Sequence, residues 1–438
     1  MNDPLSYPAF PPFEQLCVDL KEYARLKTEA GADQQAMEQL LLSVKETIRA
    51  AILQIRQMPE EISLAKEEPN ELDLIRAKRP FGKRILWPAF DEKRYQERLA
   101  GALMGRMAGC TLGAPVEFWP VDEMRDWAEW IGDPFPPENY WSAVPNPHHK
   151  RYEVSPCQAY TRSGLDGVPV DDDITYTLLG LLIAEECGFN FSVRDVGRCW
   201  LSYLPYACTA EAVALKNLKN GFPAESAADI ENPYVQWIGA DIRSDPWGYL
   251  APGLPEQAAT LAYHDAFLTH RRNGIYGAMY FSSVIAAAFA YDEPVEALEA
   301  GLCEIPENCL LSQDVRWALE KGKSVKDYRD ARRAVEERFG DMSGVHTNLN
   351  ACLTIFGLLI GKDDFTRCIG ETVAMGYDND CTAATAGSIF GAAKGLSAVP
   401  DDWYKPFRNK IHTYLIGHPV FAIDDVLNRF CKLAAQQF

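Results

Sequence analysis

The sequence is poor in positive charge, long apolar runs, paired cysteines and alternating polar–apolar stretches, and each shortage excludes a class of protein. Lys and Arg number 43 against 62 Asp and Glu, a formal net charge of −19. A phosphate backbone would be repelled over most of such a surface, so no nucleic-acid partner is expected. No run approaches the roughly 18 uncharged apolar residues of a membrane helix, so no membrane partner is expected. The opening MNDPLSYPAF has no basic stretch leading into an apolar one, which leaves the cytoplasm as the expected location. The 12 cysteines never fall as C-x-x-C, and Cys187, Cys199 and Cys352 sit in apolar stretches. They read as buried reduced thiols, without a zinc site or a disulfide framework. The seven histidines are not grouped as metal ligands either.

What is present describes an ordinary globular chain with material for a large core: 438 residues, 47% hydrophobic and 24% charged. Residues 1–90 read as an N-terminal helical extension packed on the main body. A proline-rich lead is followed by Met37, Leu40, Leu41, Val44, Ile48, Ile52 and Ile55 at helical spacing. A charged loop around Lys66–Asn70 follows, and residues 91–438 form the main domain. There the pattern is helical throughout, as over 174–187, 192–204, 275–291, 347–360 and 383–396, so the fold class is all-α. The Pro-, Asn-, Trp- and Tyr-rich stretches 130–160 and 220–255 read as long ordered loops, where ligands are often gripped.

Two glycine series have a spacing of four: Gly101, Gly105, Gly109 and Gly113, then Gly387, Gly391 and Gly395, with Ala383 extending the second. That spacing lines one helix face. Each interior glycine costs about 1 kcal/mol of helix propensity, and close approach of two helices is the expected compensation. Alternatively, Gly109 and Gly113 lie in the loop that ends the first helix.

Two carboxylate clusters each precede a helical pattern. In PVDDDITYTLLGLLIAEE, Asp171, Asp172 and Asp173 are consecutive; in GYDNDCTAATAGSIFGAAKG, Asp378 and Asp380 are two apart. Helix capping accounts for one aspartate in each place. Adjacent further carboxylates repel, and a hard divalent cation would turn that repulsion into attraction. Two unrelated caps, or two helix ends converging on one acidic site, both remain open at this level.

These clusters, with GALMGRMAGCTLGAPVE at 101–117, resemble the ADP-ribosylglycohydrolase family over about residues 95–400. Gly101, Ala102, Gly105, Gly109, Leu112, Gly113, Ala114 and Glu117 match the family's opening helix. Asp171–Ile174 stands in register with its T-D-D-T element, and Gly376, Asp378, Asp380 and Gly387 match its G-G-D-x-D-T turn and the helix that follows. The segment THRRNGIYGAMYFSSVIAAAFAY looks like the family's middle helix.

The resemblance implies an all-α hydrolase with two Mg2+ ions, Mn2+ being an alternative, that cleaves a glycosidic bond of ADP-ribose in an ADP-ribosylated acceptor. Carried over, Asp172 and Asp173 bind one metal and Asp378 and Asp380 the other or both, while Asp171 stands for the family's first threonine. Glu117, Asp172 and Asp378 are the catalytic candidates, and Tyr377, Gly376 and His270 the substrate-binding ones. Arg162, Arg271 and Arg272 lie in loops where a diphosphate could be met. Ile174 and Cys381 replace threonines, Tyr377 a glycine and Cys110 an aspartate, with Thr175 or Thr382 as substitute hydroxyls. The alternatives are a hydrolase of the same fold acting on another ribosyl or nucleotide conjugate, and a non-catalytic relative.

Overall fold

The computed structural model describes residues 13–59, 61–340 and 342–438, so the proline-rich lead lies outside the described residues. Two compact units result, the smaller ending at Lys66 and the larger running Glu67–Phe438. The smaller unit holds the helices Glu14–Glu29 and Gln34–Arg56. Asp33 starts the second by accepting the backbone N–H groups of Gln35 and Ala36. Its apolar series follows the expected helical spacing, yet Leu40, Ile48, Ile52 and Ile55 are exposed.

The larger unit is all-α. Its described strands are two hairpins with two residues per strand, Lys150–Arg151 with Ser155–Pro156 and Ile411–His412 with Val420–Phe421. Helices at Asp172–Cys187, Val193–Tyr203, Asn273–Ala288, Thr347–Gly361 and Asn379–Lys394 fall where the apolar spacing places them. Every residue of Asn273–Ala288 is buried, as the lack of any polar face on that helix requires. The stretch 220–255 is less irregular than its composition suggests. It contains a 3-10 turn, Ile238–Arg243, and a short helix, Asp245–Leu250, with Pro246 in the first turn where a missing N–H costs nothing. No helix among the described residues is long and apolar enough to cross a membrane.

The two glycine series meet each other. Helix Glu92–Gly113 (here the inner helix) continues through Gly109 and Gly113, so those residues do not form a loop. It packs face to face on Asn379–Lys394 (the closing helix). A Cβ on Gly101 would lie 2.6 Å from the Gly391 carbonyl oxygen, one on Gly105 would lie 2.2 Å from that of Gly387, and one on Gly109 would lie 2.1 Å from that of Ala383. Backbone rests on backbone along the whole seam. At its end, a Cβ on Gly113 would lie 2.4 Å from the Asp380 Cα. The propensity lost at the glycines therefore fixes where the second aspartate cluster sits.

Candidate metal centre

Three segments converge at the end of this seam. Helix Asp172–Cys187 (the aspartate helix) begins behind Asp171, whose Oδ1 caps it by accepting the Asp173 N–H at 3.1 Å. The capping reading therefore holds for Asp171. The closing helix begins behind Asp378, whose side chain makes no capping bond. Glu117 follows the 3-10 turn Ala114–Val116 that ends the inner helix. Side-chain oxygens of Glu117, Asp378 and Asp380 lie within 4.8 Å of one another, and so do those of Asp171, Asp173 and Asp380. Asp380 belongs to both triplets. They border a cavity of about 350 Å³ lined by Glu117, Asp172, Asp173, Asp378 and Asp380, with Tyr152, Tyr176 and Trp237 among its aromatic residues. Asp172 accepts the Tyr152 hydroxyl at 2.6 Å.

Burial dominates the electrostatics. It pushes Asp171 from 3.8 up to about 7, against the pull of Arg151. Burial also raises Asp173, with Arg106 opposing it, and Asp378 and Asp380, where the nearby Glu117 adds to the effect. Glu117 is itself raised by burial and lowered by Arg151. Two arginines supply the cluster's ion pairs. Arg106, fully buried, reaches Asp173 at 3.1 Å and Asp245 at 2.8 Å. Arg151 reaches Glu117 at 2.8 Å, Asp171 at 3.1 Å and Asp380 at 3.3 Å.

The donor set fits a hard divalent cation. All donors are carboxylate oxygens, and once ionised they would outnumber the two guanidinium groups that pair with them. The buried Asp380 Oδ1 has no hydrogen-bond partner, although unsatisfied buried acceptors are costly. A cation would supply the missing charge and the missing contact.

A pH test follows from the sign of these shifts. A carboxylate raised by burial holds its proton longer in the folded chain than in the unfolded one. The stability linked to it is complete below the unfolded value and is lost as pH rises through the folded value, here between about 4 and 7 for Asp171. A bound cation holds the ionised form and removes that loss. The rise in Tm on adding Mg2+ to chelator-treated protein is therefore expected to be larger at pH 8 than at pH 5. Equal rises at the two pH values would argue against ionised ligands at a metal.

The other expected site residues lie elsewhere. His270 is fully buried and does not line the cavity, with Nδ1 2.6 Å from the Thr269 hydroxyl. Burial, Arg243 and Arg271 hold its pKa well below the usual value, so it is a neutral interior group. Gly376 and Tyr377 take φ of 71° and 61° in the turn before Asp378 and are not among the lining residues. The Tyr377 ring lies under the Arg332 guanidinium, 3.7 Å from its centroid. A bulky residue at positive φ is strained, and Arg332 stacking offsets part of that cost. Arg162 pairs with Asp133, Arg271 with Asp229 and Arg272 with Glu68, all away from the cavity. Cys381 is buried, and the hydroxyls of Thr175 and Thr382 are buried without hydrogen-bond partners.

Sequence reasoning missed Arg151, Tyr152 and Glu211. The first two sit on the hairpin Lys150–Pro156, inside a stretch that composition marks only as a loop. Glu211 lines the cavity and pairs with the buried Arg243. An acidic cluster too crowded to stand without counter-charge was the available signal, but it does not say which of the many arginines answers it.

The family model for ADP-ribosylglycohydrolase matches residues 91–435. A solved structure described as "ADP-ribosylglycohydrolase-related protein complex" is 22% identical, covering 78% of this chain and 99% of that chain with a TM-score of 0.48. No curated protein matches by sequence. With the match spanning the inner helix, both aspartate clusters and the helices between them, the chain belongs to the ADP-ribosylglycohydrolase family.

Proposed function

We propose that this protein is a magnesium-dependent hydrolase that cleaves an N- or O-glycosidic bond of ADP-ribose, releasing ADP-ribosyl groups from a protein or small-molecule acceptor. One observation carries the reading: two helix N-termini about 200 residues apart, together with the half-buried Glu117, bring carboxylates into two triplets that share Asp380 beside one cavity. Asp171, Asp172, Asp173, Asp378 and Asp380 would hold two Mg2+ ions, or Mn2+ in their place. Such ions would supply Lewis acidity and a template for the ribose hydroxyls.

The chain's own groups divide the remaining work. Glu117, held above the usual carboxylate range by burial, is placed to carry a proton at the cavity wall. Asp172 and Asp378 line the same wall and would position the attacking water and the ribose. Tyr152, Tyr176 and Trp237 exclude solvent and offer faces for a ring.

A second reading has its own support. Of the lining residues, Arg151 alone is cationic, and the arginines expected to meet a diphosphate are paired elsewhere. That favours a ribosyl or nucleoside conjugate with less phosphate charge. Calorimetric titration of ADP-ribose into chelator-treated protein, with and without Mg2+, separates the two. Binding that needs Mg2+ and disappears in Asp378→Ala is the expected result for the ADP-ribosyl reading. Mg2+ binding without ADP-ribose binding would turn the assignment to the second, and absence of both would remove the metal-hydrolase reading altogether.

A further inference from the structure

The smaller unit keeps its apolar residues at its surface. Its two helices, Glu14–Glu29 and Gln34–Arg56, bury none of their residues. Leu20 and Ala24 on the first, and Met37, Leu41 and Val44 on the second, are half-buried. Beyond them, away from the connecting turn, every residue of both helices is exposed.

The apolar residues nevertheless follow a strict pattern. On the second helix Leu41, Ile48 and Ile55 recur every seventh residue, and so do Met37, Val44 and Ala51 between them. These are the first and fourth positions of a heptad, the pattern of a helix that packs on other helices. Leu40 and Ile52 widen the stripe, and no charged residue interrupts it. Leu16, Leu20 and Tyr23 give the first helix a stripe of its own, with Phe13 at its start. Phe13, Leu16 and Tyr23, with Leu40, Ile48, Ile52 and Ile55, are each 48–66% exposed. They leave on the order of 800 Å² open per copy, about what one partner contributes to a stable interface.

Charge selects among the surfaces that could cover this stripe. Between Phe13 and Met58 there are seven acidic and six basic residues, although the whole chain stands at −19. Almost all of the excess acid lies elsewhere, so two copies can meet through this segment with little repulsion. Its polar faces mix the two signs, with Arg25 paired to Glu22 and Arg49 to Glu46. A helix held on an anionic lipid surface would instead carry a face rich in Lys and Arg. Two helices alone enclose no interior, whereas two such pairs do.

We propose that the chain dimerises through its smaller unit, the helix pairs of two copies packing their stripes together as a four-helix bundle. The heptad positions of both copies then form the interior that neither has alone. The proposal is independent of the reading of the metal centre.

The test is sedimentation velocity of the full-length chain beside Ile48→Glu/Ile55→Glu and the control Leu42→Glu. Leu42 is exposed but lies off the stripe. We expect the parent and the control to sediment as dimers of the 49.0 kDa chain. In the double variant the new carboxylates would be buried without partners, so association should weaken by about 100-fold or more and leave a monomer. Both replaced residues are exposed within one copy, so the variant is expected to fold. A monomeric parent would overturn the proposal, and one that sediments with phosphatidylserine vesicles would give the stripe to a lipid surface. A dimer that survives Ile48→Glu/Ile55→Glu would overturn it by placing the interface elsewhere. Loss of the dimer in Leu42→Glu would overturn it too, because charge off the stripe should leave a bundle intact.

Discussion

Asp380→Asn is expected to remove metal binding and to lower kcat/KM by about 1000-fold or more, which is roughly 4 kcal/mol of transition-state stabilisation. The amide keeps the size and shape of the acid but loses its charge, and Asp380 is the carboxylate common to both triplets. Its loss therefore weakens both cation positions, whereas Asp378→Asn weakens one. A second readout separates this from unfolding. Burial and the neighbouring Glu117 and Asp171 make the ionised acid costly when no cation is bound. Chelator-treated Asp380→Asn should thus melt higher than the chelator-treated parent, and Mg2+ should no longer raise its Tm. An inactive variant that melts lower and still responds to Mg2+ would mean that Asp380 supports the fold and does not hold a cation.

The second large effect is mechanical. Gly109→Ala is expected to destabilise the chain by about 3 kcal/mol, read from urea unfolding. Alanine at an unobstructed helix position would gain about 1 kcal/mol over glycine, so the sign depends on the space. Here the new Cβ would lie 2.1 Å from the Ala383 carbonyl oxygen and 2.3 Å from its carbonyl carbon. Those are backbone atoms of a buried helix and cannot rotate aside, so the helices must separate. Because Gly113 packs on Asp380 at the end of the same seam, the separation moves one aspartate cluster away from Glu117. Mn2+ affinity should fall along with stability. Parental stability in Gly109→Ala would sink the backbone-contact account of the glycine series.

The split between these two predictions mirrors what could be read in advance. Helix phase was legible because it is local: 3.6-residue spacing places the aspartate helix within about two residues of its observed start and the closing helix within about four. The glycine series were legible for the same reason, since a spacing of four has one geometric meaning on a helix. The aspartates were legible because they are adjacent in the chain, and adjacent like charges need a cause. Arg151 was not, because its partners Asp171 and Asp380 lie 20 and 229 positions away. The surroundings of His270 and Tyr377 were not legible either, because whether a ring faces a cavity or a neighbour depends on side chains from distant segments, such as the Arg332 guanidinium over the Tyr377 ring.

By itself, the sequence determined the all-α class, the approximate positions of the main helices, the small-residue seam and the set of carboxylates at two helix starts. Each of these is a periodic or contiguous property of one segment. Only the tertiary structure decided that the two starts meet, that Asp380 serves both triplets, and that an arginine from a short hairpin stands among them. Coulombic pairing and burial depend on distance through space, and that distance exists only once the glycine seam has brought the helices together.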